Sequence, residues 1–571
     1  MKFKRSGLVR TSVVVAALAM ALAACGSSSK SSSNGSGSGN TAAGPTGSAV
    51  FGAEQWPDCI NAINQCANSS WLQWLVPIHV LPRLAELDDK NNFVASPLLT
   101  TYPTPANGGV KGSGSTFTIT YHLNPAAKWT PDNTPITSAD VVFSWHAYID
   151  TTGSLSTTGY NEISSIDTPD PETAVVHFKE TYNDWPDVLG GFSGVILEKA
   201  KFPTGTNVGK TMTTSMSFSG GPWVLTSFSK DKEVLTANTS YWDKDRIPKL
   251  KTVTFVPLTE TTKEVQAIKT GQVSAIYPQP STDNVPQLTN SATLASTFGV
   301  TTQYEDVWFN QKAGTPFADK NLREAFSYAL DRTQLLNDVI KPFDPTVTLL
   351  NCAAWVPGVG KWCANTAFAG LSPDPAKVAS SMAASGYTKD GSGIWAKGGK
   401  ELVIHWMENT GNKRRENMQA EEIPLLAKQG FKVVTDNSDA NTMFQKRLPG
   451  GQFDMAVYIQ VTSPDPSVTS ILSSAEIPGP ANKGQGQNDT WYSSPAADAL
   501  MKQADAELDQ TKRADEVHQL DNQLASDYVN MPLYAFPSML SVRTDVISGP
   551  TNQFINSPES NFWNMWAWTK K

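Results

Sequence analysis

Short period-two segments and short amphipathic helical segments take turns along this chain from Phe117 to about Phe536, and that alternation most restricts its fold. FTITYHLNP from Phe117 alternates apolar and polar residues and predicts a strand. ETAVVHFKE at 172–180, LKTVTFVPL at 250–258, ELVIHWME at 401–408, FKVVT, FDMAVYI and MPLYAF read the same way. The segment 221–242 reads as a hairpin and GQVSAI as a short strand. Between them lie helical stretches. SADVVFSWHAYID can be capped by Thr137 or Ser138, with Asp140 near its positive end. Thr261–Thr270 stops at Gly271, Asp319 can cap KNLREAFSYALD, and Ser494-Pro495 opens a further helix. RENMQAEEIPLLAKQG contains Pro424, which predicts a kink or break, and another helix is expected from about Lys512 to Asp527. Such interleaving predicts α/β layering rather than a helical bundle or a pure sandwich.

Before residue 25 the chain is of another kind. Lys2, Lys4, Arg5 and Arg10 precede an uncharged run from Thr11 to Ala24 that ends in small residues, the pattern of a cleaved export signal. GSSSKSSSNGSGSGNTAAGPTGS follows Cys25 and offers almost nothing to bury, so 25–50 is expected to be a flexible tether. The rest of the 571 residues is too long for one ordinary core and predicts two or three domains. No later apolar run reaches 18 residues, so no membrane-spanning helix is expected after the signal.

The chain has 45 basic and 53 acidic residues, a net of −8. Loss of the signal's four basic groups takes the net to −12, which argues against nucleic acid as a partner. Apart from Cys25, the cysteines form two local pairs, Cys59 with Cys66 and Cys352 with Cys363. An exported protein can keep both as disulfides; four buried thiols are the alternative. The six histidines are scattered, which gives no local zinc pattern. GTNVGKT at 205–211 has three residues between its glycines, the wrong register for a phosphate-binding loop, and no clear strand before it. Asp167, Asp170 and Glu172 sit in turn-rich sequence, and no nucleophile–base–acid set stands out. The chain is therefore expected not to be an enzyme, with an exported hydrolase as the catalytic alternative.

Leu22-Ala23-Ala24-Cys25 resembles a bacterial lipobox. That resemblance implies cleavage after residue 24, acylation (palmitate) of Cys25, and a lipid-anchored protein on the extracytoplasmic face of the cell membrane. The folded part resembles the large extracellular solute-binding proteins (family 5) of peptide-type ABC importers. The segments that carry this are AKWTPDNTPITSADVVFSW at 127–145, GGPWVL, NTSYWD, and VWFNQKAGTPFADKNLREAFSYALDR at 307–332. The resemblance covers roughly 95–540. It implies a periplasmic-binding-protein-like fold, with two lobes joined by crossing strands, an extra domain, and the solute closed between the lobes. The implied division is 51–95, 215–305 and 535–571 for domain I, 96–214 for domain II, and 306–534 for domain III. It further implies a monomer, no cofactor, and delivery of oligopeptides to a permease driven by ATPases on separate chains. Another bulky solute, such as an oligosaccharide or glycoconjugate, is the second expectation, and a non-transporting extracytoplasmic scaffold the third.

In peptide-binding members an aspartate just before an Asp-Pro step commonly pairs with the peptide's α-amino group. Here the step is Asp465-Pro466, and Thr462 stands three residues earlier, where that aspartate often lies. Asp465 is therefore a candidate ligand contact or a turn residue, and dependence on a free ligand amine is expected to be weak. Trp406, Trp491 and Trp395 are candidate flat surfaces for a solute, each weighed against a core role. Arg414 and Arg415 are candidates for a ligand carboxylate, since a guanidinium offers bidentate geometry, or an exposed helix start.

Overall fold

The computed structural model describes residues 44–571, apart from 65, 67, 483 and 551–557. The expected signal, Cys25 and the tether as far as residue 43 lie outside the described residues. The strand Ser48–Ala53 begins inside the stretch expected to be tether, because it pairs in parallel with Thr252–Pro257 and Ala275–Ile276.

A ten-stranded mixed sheet runs through the described residues in the order 432–435, 403–407, 455–461, 294–309, 530–543, 275–276, 48–53, 252–257, 233–237, 223–228. Its centre is the antiparallel pair of long strands Leu294–Phe309 and Asn530–Arg543, matched from Leu294–Arg543 to Trp308–Asn530. On one side the sheet packs into a core around Phe51, Trp71, Trp223 and Phe562, forming the first lobe. On the other it packs around Trp308, Phe326, Trp406 and Met455, forming the second lobe. A smaller apolar cluster holds Ile268, Ile276 and Leu288. The long strands thus bridge the two cores, and the boundaries expected at 305 and 535 fall inside them.

A four-stranded antiparallel sheet, Val110–Lys111, Thr118–His122, Thr173–Phe178 and Ile163–Asp170, packs with the helix Ser138–Asp150 into the first lobe's core. That helix has the expected bounds. Thr137 and Asp140 form a capping box, each side chain accepting from the other residue's backbone amide. Gly271, with φ +80°, ends Thr261–Thr270 in the left-handed conformation that glycine takes without strain. Asp319 caps Lys320–Ser327. Lys413–Lys428 runs through Pro424 as one helix, so of the expected kink or break the break does not occur. Disulfides join Cys59 to Cys66 and Cys352 to Cys363, with Cα–Cα distances of 6.0 and 5.8 Å. The segment resembling a phosphate loop forms a one-turn 3-10 helix at Val208–Lys210. Its amides are taken within the turn, Gly209 N by Asn207 Oδ1, Lys210 N by Asn207 O and Thr211 N by Val208 O, so it does not wrap them round an anion.

Candidate functional site

A cavity of about 370 Å³ lies between the lobes. The first lobe contributes Glu54 and the short helix Ser70–Leu75, whose cap Ser69 also donates to Gln55 at 2.8 Å. Trp71 and Trp74 of that helix meet edge to face at 5.3 Å, and Tyr277 meets Trp74 edge to face at 5.6 Å. The second lobe contributes Trp355 and the end of the strand Met455–Val461, continued by Thr462, Ser463 and Asp465. The accessory layer adds Tyr148, Tyr160, Asp184 and Asp187. Hydrogen bonds tie the rims together: Asn68 to Phe444 O at 2.9 Å, Asn183 N to Asp505 O at 2.7 Å, and Gln485 to Thr151 O at 2.9 Å. Aromatic walls with a few polar groups, enclosed between domains, are the usual form of a small-solute site.

Several sequence candidates lie elsewhere or are already engaged. Trp406 is a core residue between paired strands, and Trp395 is buried in the same core; neither lines the cavity. Trp491 lies outside the cavity wall under the ammonium of Lys312, 4.0 Å from its ring centre. Arg414 and Arg415 are buried rather than exposed at their helix start. Both bind Glu305, which is fully buried and also accepts from Tyr534 at 3.0 Å. Burial alone would raise the Glu305 carboxyl; the two guanidinia overcome that and hold it below the usual range. Arg415 lines the cavity and Arg414 does not. Thr462 lines it, but its hydroxyl donates to Thr302 O at 2.8 Å. Asp465 also lines it, yet Arg513 holds both its oxygens, and Oδ1 accepts from Ser467 N at 2.9 Å. Its charge is paired within the protein and its turn is fixed.

Four lining carboxylates were not legible as site residues. Asp187 accepts from Ser463 of the opposite lobe at 2.5 Å. Burial raises its carboxyl to about 7, helped by the charge of Asp465 and opposed by the Ser463 bond. Asp184 is raised well above the carboxylate range by burial and then by Asp465 and Asp187. Glu54 accepts from Gln279 at 3.0 Å and Trp71 at 3.3 Å, and burial still raises it. Asp489, 8% exposed, has an Oδ1 with no hydrogen-bond partner, and burial raises it to about 8. Asp184 and Asp187 are about 280 residues from Asp465 and about 300 from Asp489, so only the fold brings them to one cavity. By contrast Asp167, Asp170 and Glu172 are exposed. Among the described residues no group of three or more His, Cys, Asp or Glu side chains is arranged to hold a metal ion.

Residues 100–479 match the family profile of the bacterial extracellular solute-binding proteins, family 5. The oligopeptide-binding protein OppA of Mycobacterium tuberculosis (strain H37Rv) is 25% identical over 490 residues, 81% of this chain and 79% of that protein. Two solved structures share the fold. AppA from Bacillus subtilis, in complex with a nonapeptide, superposes with a TM-score of 0.79 at 20% identity, over 92% of this chain and 99% of that one. NikZ from Campylobacter jejuni, in complex with Ni(L-His), gives 0.77 at 15% identity, over 92% and 99%. The profile covers about two thirds of the chain, and the fold agrees along its described length: this protein belongs to the bacterial extracellular solute-binding proteins, family 5.

Proposed function

We propose that this protein captures oligopeptides outside the cytoplasmic membrane and delivers them to the permease of an ABC importer. The observation that carries this is the enclosed cavity between two lobes, walled by Trp71, Trp74, Trp355 and Tyr458 and edged by the backbone of residues 458–463. Edge backbone at the end of a strand can hydrogen-bond an extended main chain whatever its side chains. The kinship with OppA, named an oligopeptide-binding protein, supports the same reading. Opening and closing is a hinge motion in which the strands 294–309 and 530–543 connect the lobes, and a bound solute biases it toward closure. We further propose a monomer held to the membrane by acylated Cys25 alone. In the proposed division, domain I holds the first lobe's sheet, domain II the four-stranded sheet, and domain III the second lobe.

Calorimetric titration with a mixed pentapeptide pool and with a maltooligosaccharide series tests this. Saturable heat from the peptides is expected. Heat from the sugars alone would move the assignment to a carbohydrate solute.

A further inference from the structure

The lining of the cavity holds many more carboxyl groups than basic ones. Glu54, Asp184, Asp187, Asp465 and Asp489 face it, whereas Arg415 is the one basic lining residue among those described, and Glu305 already holds it. Asp465 is matched by Arg513, and Asp187 by the Ser463 hydroxyl. Like Asp184, whose Oδ1 also lacks a hydrogen bond, Asp489 has no such match. It is buried, it borders the cavity, and its Oδ1 accepts no hydrogen bond. A buried carboxylate oxygen without a partner is costly, and a donor from a bound solute would remove that cost.

The surroundings of Asp489 narrow the kind of donor. Asn68, from the first lobe, bonds the Asp489 side chain and donates to Phe444 O at 2.9 Å. Phe444 meets Tyr458 edge to face at 5.7 Å, and both rings line the cavity. Asp489 lines the same cavity as these two rings, and after burial its charge is the largest cause that pushes the Tyr458 phenol up. A carboxyl group and aromatic rings lining one cavity suit a cation. The rings exclude water and so strengthen the charge pair, and a ring beside an ammonium or guanidinium adds attraction of its own.

We propose that Asp489, with Phe444 and Tyr458, forms a seat for a cationic side chain of the bound solute, so that the cavity prefers peptides carrying lysine or arginine at one position. The proposal rests on the oligopeptide reading only for the chain that bears the cation. Burial raises the Asp489 carboxyl to about 8 in the solute-free protein; a cation at that position stabilises its charged form, whereas an acidic group there gains no such partner and is disfavoured.

The test is calorimetry with five pentaalanine variants carrying one lysine each, and their norleucine and Nε-acetyl-lysine counterparts. At one position lysine is expected to bind at least tenfold more tightly than norleucine, and acetylation to abolish that advantage. Asp489→Asn is expected to bring the lysine-to-norleucine ratio at that position below threefold, with its melting temperature as the check on folding. The acetyl-lysine arm reads the same charge term on the unaltered protein if that variant fails to fold. Equal binding of lysine and norleucine at all five positions would overturn the proposal, as would an unchanged ratio in folded D489N. If no peptide of either series binds, the oligopeptide reading fails, and 1,5-diaminopentane against 1-aminopentane then decides the seat. Tighter binding of the diamine that D489N removes would retain it; no difference would overturn it.

Discussion

Arg513 grips Asp465 through both oxygens, with Nη2 2.9 Å from Oδ1 and Nη1 2.5 Å from Oδ2, and both side chains are almost wholly buried. A fork-to-fork pair of this kind leaves the carboxylate no free charge for a ligand ammonium. Breaking a buried pair from one side strands the other charge, at a cost of about 3–5 kcal/mol. Asp465→Asn is therefore expected to lower the urea midpoint strongly. It is also expected to weaken free-amine and N-acetylated forms of one peptide alike. A selective loss for the free-amine form, with stability unchanged, would contradict this pairing as the main role of Asp465.

Glu305 anchors two guanidinia at once, those of Arg414 and Arg415, in an almost wholly buried site. Glu305→Gln removes the carboxylate that both guanidinia share. Destabilisation of at least about 3–5 kcal/mol is expected, since two buried charges rather than one lose their partner. Denaturant unfolding of E305Q measures it; a change below about 1 kcal/mol would contradict the pairing.

Burial raises a set of carboxyls into the neutral range: Asp505 to about 6, Asp187 and Asp521 to about 7, and Asp489, Glu408 and Glu422 to about 8. Unfolded, these groups titrate near 4. The native state thus binds more protons than the unfolded state between about pH 4 and 8, and stability falls as pH rises through that window. His79, pushed down to about 3 by burial, acts in the opposite sense, but only below about 6.5 where unfolded histidine takes up a proton. The urea midpoint of solute-free protein is expected to be higher at pH 6.5 than at pH 8.0. A midpoint that rises over this interval would contradict the burial of these carboxyls.

Cys25→Ser is expected to release a folded body from the membrane fraction, because GSSSKSSSNGSGSGN behind it offers no apolar surface to hold one. Retention of C25S in membranes after signal removal would contradict a lipid anchor at this cysteine.

Local signals carried much of the fold. The helix Ser138–Asp150 was readable to the residue because Thr137 and Asp140 cap it, and Thr261–Thr270 because Gly271 ends it. The long strand Leu294–Phe309 was not. Thr301–Phe309 is buried on both faces, and the polar Thr302, Gln303, Glu305 and Asp306 interrupt both, so neither alternation nor a continuous apolar run marks the strand. In the site, Thr462, Asp465 and Arg415 were found near the cavity, but what they bind was not visible. Arg513 lies 48 residues from Asp465 and Glu305 lies 110 from Arg415. The tryptophans failed as guides for a related reason. Which side of a strand Trp406 faces depends on its register with Met455 and Thr435, and that is set by pairing rather than by composition. Asp184, Asp187 and Asp489 carry no local signature, since a lone aspartate in a turn looks alike whether it ends in solvent or in a cavity.

The central claim is that the space between the lobes holds a peptide. Native mass spectrometry of protein extracted gently from its own cells tests it most directly. The account predicts one solute per chain, released on denaturation as a family of masses that fragment into amino-acid residues and are enriched in lysine or arginine. A released solute that fragments into hexose units, or a chain that carries no peptide and gains none on incubation with the pentapeptide pool, would contradict it.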